Sequence, residues 1–489
     1  MLFNSHIFML LFLPLLLAGW YFLNWKKKFQ LAQGYLIGMS LWFYAYANLQ
    51  YLWLLLFSCL IGWLLSCLPE KISSEKGKKA LIGIGCVFHL GLLGYFKYSN
   101  FFLENLNTVF HTDFPMLQIL LPVGISFYTF QQLAYLIDRC RGDAPRDRLF
   151  DYLTFMVYFP QLLQGPILLR SEFMEQLKEP ERRRFHAERF SEGIQFFVFG
   201  LAKKVLLADT LAKAVNYGYS NVSMLDSISA LLLAAGYLTE LYFDFGGYCD
   251  MAVGLGKMIG LEVAENFDAP FHSASVKEFW RRWHMTLGRF FTRYVYIPLG
   301  GNRKGKMRTL CNVMIVMLLS GLWHGAAWTF VLWGFLHGVG MIWDNLEHPH
   351  LPKKWMRQAV TFAYVCMTFV FFRAESIAQG FDVLKSIVSL KWNGFVFQMA
   401  SALDLTEFYM ITKALSMKLP GLLSWFWFGI FVVLIAICVR VLSGEKVSDV
   451  IVLQKQKGYG RLYPVFLAVL FTWSMISMTG VSEYLYFSF

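Results

Sequence analysis

The sequence predicts an all-α, polytopic integral membrane protein, and three observations predict it. Of the 489 residues, 57% are hydrophobic and 16% charged, where a soluble chain carries nearer a quarter charged residues. Apolar segments long enough for a helix to cross a bilayer, about 20 residues, recur from end to end with no long polar block between them. Mean hydropathy is +0.48, and 48 Phe, 24 Tyr and 16 Trp supply apolar bulk and rings suited to the headgroup level. The whole chain, 1–489, therefore reads as one integral membrane domain.

The expected spans fall at 2–23, 31–48, 49–68, 80–99, 117–137, 190–208, 228–248, 309–326, 327–345, 357–373, 421–441 and 462–482. The first precedes its lysines, at 26–28, the reverse of a secretory signal peptide. It is expected to be retained, with the N-terminus outside the cytoplasmic (inner) membrane. Counted alternately from there, every strongly basic loop lands on the cytoplasmic side, including 139–148, 181–184, 277–308 and 446–461. One miscounted span would invert all the later loops, so this agreement with the positive-inside rule tests the count. The formal charge of +12 thus falls in short clusters that set orientation in membrane lipid, so no nucleic-acid partner is expected. The eight cysteines are scattered, without CxxC or metal-ligand spacing, and read as free thiols with no metal site.

Two stretches fit the span count badly. Residues 157–169 hold two prolines and a glycine, and residues 243–260 carry two aspartates among five glycines. Irregular backbone at membrane depth is tolerated only inside protein or along a water-filled cavity, so both read as re-entrant or broken segments. The connection 374–420 is long enough to hold a surface helix.

The chemistry-bearing residues lie in three clusters. In SGLWHGAAWTF, 320–330, His324 stands in an apolar run. An imidazole titrates near pH 6.5 and so can accept a hydroxyl proton, and an ionisable group in a span is functional by default. Gly321 and Gly325 leave room for a substrate, with Trp323 and Trp328 as walls. His337 has similar surroundings, and periodicity does not choose between the two. The second cluster, 276–308, is basic and aromatic. Trp280, Trp283 and Leu287 share a helical stripe, while Arg281, Arg282, Arg289 and Arg293 offer cations to headgroups or an anionic ligand. Asn302, Arg303 and Lys304 follow in a glycine-flanked turn suited to phosphates. Third, Asp244 and Asp250 call for buried partners, because an unpaired carboxylate is costly there. An ion or proton relay through His324, His337, Asp244 and Asp250, as in a transporter, is the reading from a different class; no internal repeat supports it.

Seven segments in order, LLPVGISFYTFQQLAYLID (120–138), YFPQLLQGPI (158–167), GLAKKVLLAD (200–209), YFDFGGYCDMAVGLGKMIG (242–260), NFDAPF (266–271), EFWRRWHMTLGRFFTRYVYIPLGGNRKG (278–305) and SGLWHGAAWTFVLWGFLHG (320–338), resemble the membrane-bound O-acyltransferase (MBOAT) family, within it the bacterial alginate O-acetyltransferase branch. The likeness covers about 115–345. It implies a ring of roughly 11–12 helices around a central tunnel, with His324 as the essential histidine and His284 as the second one of the family pattern. It further implies acetyl transfer from a cytoplasmic thioester, acetyl-CoA, with no bound cofactor, toward an extracytoplasmic polysaccharide through a separate partner protein. D-alanyl or peptidoglycan acyl transfer by the same chemistry is the close alternative. On this reading Arg281, Arg282, Trp283, Asn302, Arg303 and Lys304 hold the donor, and Asp244, Asp250, Trp323, Trp328 and His337 line or brace the tunnel. Glycine and cysteine at 246 and 249 depart from the family's more usual serines.

Overall fold

A computed structural model describes residues 1–346, 352–458, 460–478 and 484–485. Among them every regular element is helical. Seven helical stretches in the described residues are long and apolar enough to cross a membrane: Phe8–Trp25, Phe29–Lys71, Glu75–Phe110, Ser227–Ile259, Lys306–His324, Lys354–Arg373 and Pro420–Leu442. Leu462–Ser477 is apolar but shorter. The protein is an all-α polytopic membrane protein, with exposed apolar side chains such as Leu10, Phe22, Trp53 and Val433 along these stretches, as lipid contact requires.

The expected division near residue 48 is present, because Asn48 (φ −154°, ψ 60°) interrupts the helix between Phe29–Asn48 and Leu52–Ser66. That near 326 is also present: Gly325 is extended between Lys306–His324 and Trp328–Asn345. Two other expectations are corrected. The span placed at 117–137 begins only at Ile125, because Pro122 and the left-handed Gly124 (φ 78°) keep the preceding chain out of a helix. The stretch 243–260 is not broken. It completes the 33-residue helix Ser227–Ile259, and its glycines serve helix contact. A Cβ on Gly254 would stand 2.5 Å from the Gly193 carbonyl, and one on Gly247 would stand 2.6 Å from that of Gly200. Small residues at such positions let two helix backbones touch.

The chain forms two compact units interleaved in sequence. The first comprises Met1–Phe197, Cys249–Glu265 and Thr286–Pro298. Its centre is a knot of phenylalanines, Phe3, Phe8, Phe12, Phe43 and Phe159, all fully buried, with Phe43 and Phe159 5.3 Å apart. Phe159 belongs to the irregular stretch anticipated at 157–169. After one short turn, Phe159–Leu162, this segment runs as coil. Protein surrounds it, residues 154–168 being buried throughout. Its Ile167 N–H donates to the Thr286 hydroxyl at 3.0 Å, which meets the requirement that buried backbone be satisfied.

The second unit comprises Val198–Tyr248, Asn266–Met285 and Leu299–Phe489. Here Phe243, Leu211, Val396, Trp427 and Phe431 pack as one cluster. The connection 374–420 carries three helices, Ile377–Val388, Phe395–Ser401 and Tyr409–Lys418. Lys306–His324 and Trp328–Asn345 form a close hairpin in which Gly321 receives the Phe330 carbonyl and Gly334 that of Met317. That hairpin fixes where His324 stands.

Candidate functional site

The local sequence from 266 to 285 builds a bend with a histidine at its apex. Ser275 caps the helix Val276–Arg282 by accepting from the Glu278 N–H at 3.1 Å, and the Glu278 carboxylate reaches back to the Ala274 N–H at 2.8 Å, a reciprocal cap of the Ser-x-x-Glu kind. Burial by itself would raise the Glu278 carboxyl, but the Ala274 N–H and Arg282 hold it below its ordinary range. The expected continuous stripe from Trp280 through Leu287 is corrected. The helix ends at Arg282, and a new one starts at Met285. Between them His284 is left-handed, φ 47°, a conformation that costs a bulky L-residue on the order of 1–3 kcal/mol. A two-sided backbone ladder holds it there: Asp268 N–H donates to Arg282 O at 2.9 Å, and Met285 N–H to Asn266 O at 3.0 Å.

His284 is fully enclosed, and burial lowers its imidazole to about 3, so it is neutral at physiological pH. Its Nδ1 lies 3.2 Å from Asn266 Oδ1. An amide oxygen only accepts, so Nδ1 carries the proton and Nε2 keeps its lone pair. The Phe245 ring packs edge-on against this imidazole at 4.8 Å. His324, last residue of its helix and also buried, brings its ring to 6.4 Å from that of His284. Trp323 lies beside both, at 6.0 and 5.0 Å, with Trp333 and Phe372 each 5.2 Å from His324. The fold thus gathers two imidazoles, separated by 39 positions in the chain, inside an aromatic box.

His337 is differently placed. Trp280 Nε1–H donates to its Nδ1 at 3.3 Å, and its Nε2 is 2.9 Å from the Thr368 hydroxyl. That hydroxyl spends its own proton on the Val365 carbonyl, so Nε2–H is the donor and both ring nitrogens are occupied. Asp244 accepts from Lys204 at 2.6 Å and from the Leu485 N–H at 3.0 Å, while Lys204 also reaches Asp209 at 2.8 Å. This is a buried ion pair in which the Lys204 ammonium is shared between two carboxylates. Asp250, six residues on, lies about 120° further around the helix, in the first unit and partly exposed.

Several anticipated roles meet a different geometry. Trp328 does not wall the site, being 57% exposed. It lies nine residues before His337, about 180° around the helix; Trp333, one turn from His337, takes the inner position. Gly321 and Gly325 do not hold open space, since Phe330 fills it, its carbonyl at Gly321 and its ring at Gly325. Trp283 is buried, stacked on Phe279 with Phe267 and Phe369 edge-on to it. Arg282 is engaged by Glu278 and Asp268 at 3.1 and 3.5 Å, Arg289 by Glu172, and Arg293 by Asp138 and Asp143, each at 3.0 Å. Arg281 is exposed, as are Asn302, Arg303 and Lys304 in the turn before Lys306. That turn and His324 cap opposite ends of one 19-residue helix, about 27 Å apart along its axis. Asn266, Phe245, Trp333 and Phe372 had not been singled out. The four-residue spacing of Trp333 and His337 was the available signal for one of them.

A helical membrane protein with acid–base side chains enclosed in its interior is the class that fold and site describe. The profile of the membrane-bound O-acyltransferase family matches residues 147–379. The chain is 35% identical over 423 residues to a peptidoglycan O-acetyltransferase of Helicobacter pylori, covering 80% of each. It is 38% identical over 407 residues to a probable alginate O-acetylase AlgI of Pseudomonas aeruginosa, covering 80% of this chain and 75% of that one. With a teichoic acid D-alanyltransferase of Bacillus subtilis it shares 28% identity over 274 residues, 52% of this chain and 69% of the other. The chain belongs to the membrane-bound O-acyltransferase family and is an acyltransferase.

Proposed function

We propose that the protein transfers acetyl groups from a cytoplasmic thioester, acetyl-CoA, for O-acetylation of an extracytoplasmic polysaccharide, directly or through a partner protein. The observation that carries the reading is the pair of buried imidazoles at 6.4 Å. Acetyl in preference to D-alanyl is supported by likeness to the two O-acetylating relatives over about four-fifths of the chain, against half for the D-alanyltransferase.

In this mechanism His324 is the general base. It takes the proton of the acceptor hydroxyl as that oxygen attacks the thioester carbonyl; the C–O bond forms, the C–S bond breaks, and the proton passes to the departing thiolate. Its place at the end of Lys306–His324 suits this, because positive charge developing on the ring meets the negative end of the helix dipole. Neutral His284, its proton fixed on Nδ1 by Asn266, stands beside His324 as the second imidazole of the site and helps to position the acceptor there. The oxyanion needs a donor aimed from a dry wall. Trp333 supplies one: it is fully buried, packs against His324, and its Nε1–H has no acceptor among the described residues.

The test is release of labelled acetyl from acetyl-CoA by the purified protein in lipid nanodiscs. His324→Ala is expected to lower turnover about 10²- to 10⁴-fold with its size-exclusion profile unchanged, whereas His337→Ala is expected to lower thermal stability first. Near-normal turnover in a folded His324→Ala protein would remove the assignment.

A further inference from the structure

We infer that the second unit carries a binding site for a phosphate ester, separate from the 302–304 turn. A cavity of 740 Å³ lies between the residues around Phe199 and Lys203, the Tyr242 ring, and the end of Pro420–Leu442 with the turn that follows it. Its ionic lining comprises three cations, Lys203, Arg440 and Lys446, and one carboxylate, Glu445. The three cations reach it from separate places. Lys203 stands 5.9 Å above the Tyr242 ring, Arg440 is in the last helical turn, and Lys446 is the cap of Val447–Gln456, held 3.8 Å from Asp268.

Clustered like charges are unfavourable in the empty protein and repay their cost when a multivalent anion enters. The Arg440 guanidinium stands beside Gly444, and both line the cavity. The two helix ends bordering the cavity, one C-terminal and one N-terminal, have opposing dipoles; selectivity for an anion therefore rests on the side chains. The lining is more apolar than polar in character, with Phe199, Val441, Leu442, Val447 and Val450 beside the cations, which suits an amphiphile with an anionic head. Tyr242 forms one wall and packs on its other sides against Phe267 and Trp283, at 5.6 and 6.2 Å. Two rings, Phe267 and Phe245, connect this wall to His284. The shared chemistry is a phosphate ester; coenzyme A and an acidic phospholipid headgroup both present it.

The experiment uses the full chain in two kinds of nanodisc, pure phosphatidylcholine and phosphatidylcholine with phosphatidylglycerol, and compares wild type with Arg440→Gln and Arg440→Lys. Coenzyme A binding is titrated calorimetrically in the neutral discs, and phosphatidylglycerol retained after detergent extraction is counted by native mass spectrometry. The expected result is a salt-sensitive loss, about ten-fold in affinity for Arg440→Gln and smaller for Arg440→Lys, in one of the two measurements. Loss of coenzyme A binding identifies a soluble phosphate ester as occupant, and loss of retained phosphatidylglycerol a headgroup. Unchanged behaviour in both overturns the site. Because neither readout requires acetyl transfer, its failure is distinct from failure of the His324 assignment.

Discussion

At the residue scale, the same side chain type is put to two different uses by what surrounds it. His337 has both nitrogens engaged, by Trp280 and Thr368, and is a brace. His284 is bent into a left-handed backbone and kept neutral. Its neutrality has a consequence for pH. Below pH 6.5 an unfolded imidazole takes up a proton that the folded one refuses until about 3, so the unfolded state binds more protons and stability falls as pH drops through that window. The slope from this group is at most about 1.4 kcal/mol per pH unit. Asparagine tolerates positive φ, so His284→Asn is expected to fold and to flatten the decline of apparent melting temperature between pH 6.5 and 4.5; an unchanged slope would assign that decline elsewhere. Trp333→Phe keeps the ring and deletes the N–H. Its expected effect is a fall in kcat of about 10²- to 10³-fold with little change in KM, and equal kcat would end the oxyanion role.

At the element scale, glycines decide the packing. Residues 243–260 look breakable in sequence because glycine weakens an isolated helix by about 1 kcal/mol each. In the protein Gly247 and Gly254 face another helix backbone, and contact offsets the weak propensity. Gly254 against Gly193 is the tightest such place in the first unit on this helix. A Gly254→Leu variant must push a helix backbone aside, an overpacking cost of typically 1–3 kcal/mol or more. It is expected to lower the apparent melting temperature and the yield of monodisperse protein, while Leu placed at exposed Gly83, where nothing stands within 4 Å, leaves both unchanged. The same logic separates Trp328 from Trp333: both are tryptophans of one helix, and the 3.6-residue turn alone sends one outward.

At the scale of the whole molecule, the cation distribution predicts an orientation for the chain. The basic loops fall on one side of the alternating count, so 277–308 is expected in the cytoplasm together with 446–461. In a background where all eight cysteines are replaced, Arg303→Cys lies in the exposed turn. It is expected to react with an impermeant maleimide in inside-out vesicles and to stay unlabelled in intact cells. Labelling of intact cells would reverse the orientation and, with it, the cytoplasmic placement of the phosphate-ester site.

Composition and segment length determined the class of this protein, because lipid tolerates spanning helices only when they are long and apolar enough, and seven ordered motifs determined the family. The buried irregular stretch 157–169 was legible for the same reason: two prolines and a glycine cannot continue a helix. The pairing of His284 with His324 was not legible, since 39 residues of chain and a bend at φ 47° intervene. Nor could periodicity tell His324 from His337, which differ in the side chains packed around them. The side chains that hydrogen-bond His284 and His337, namely Asn266, Trp280 and Thr368, come from three different segments, and only tertiary packing sets those distances.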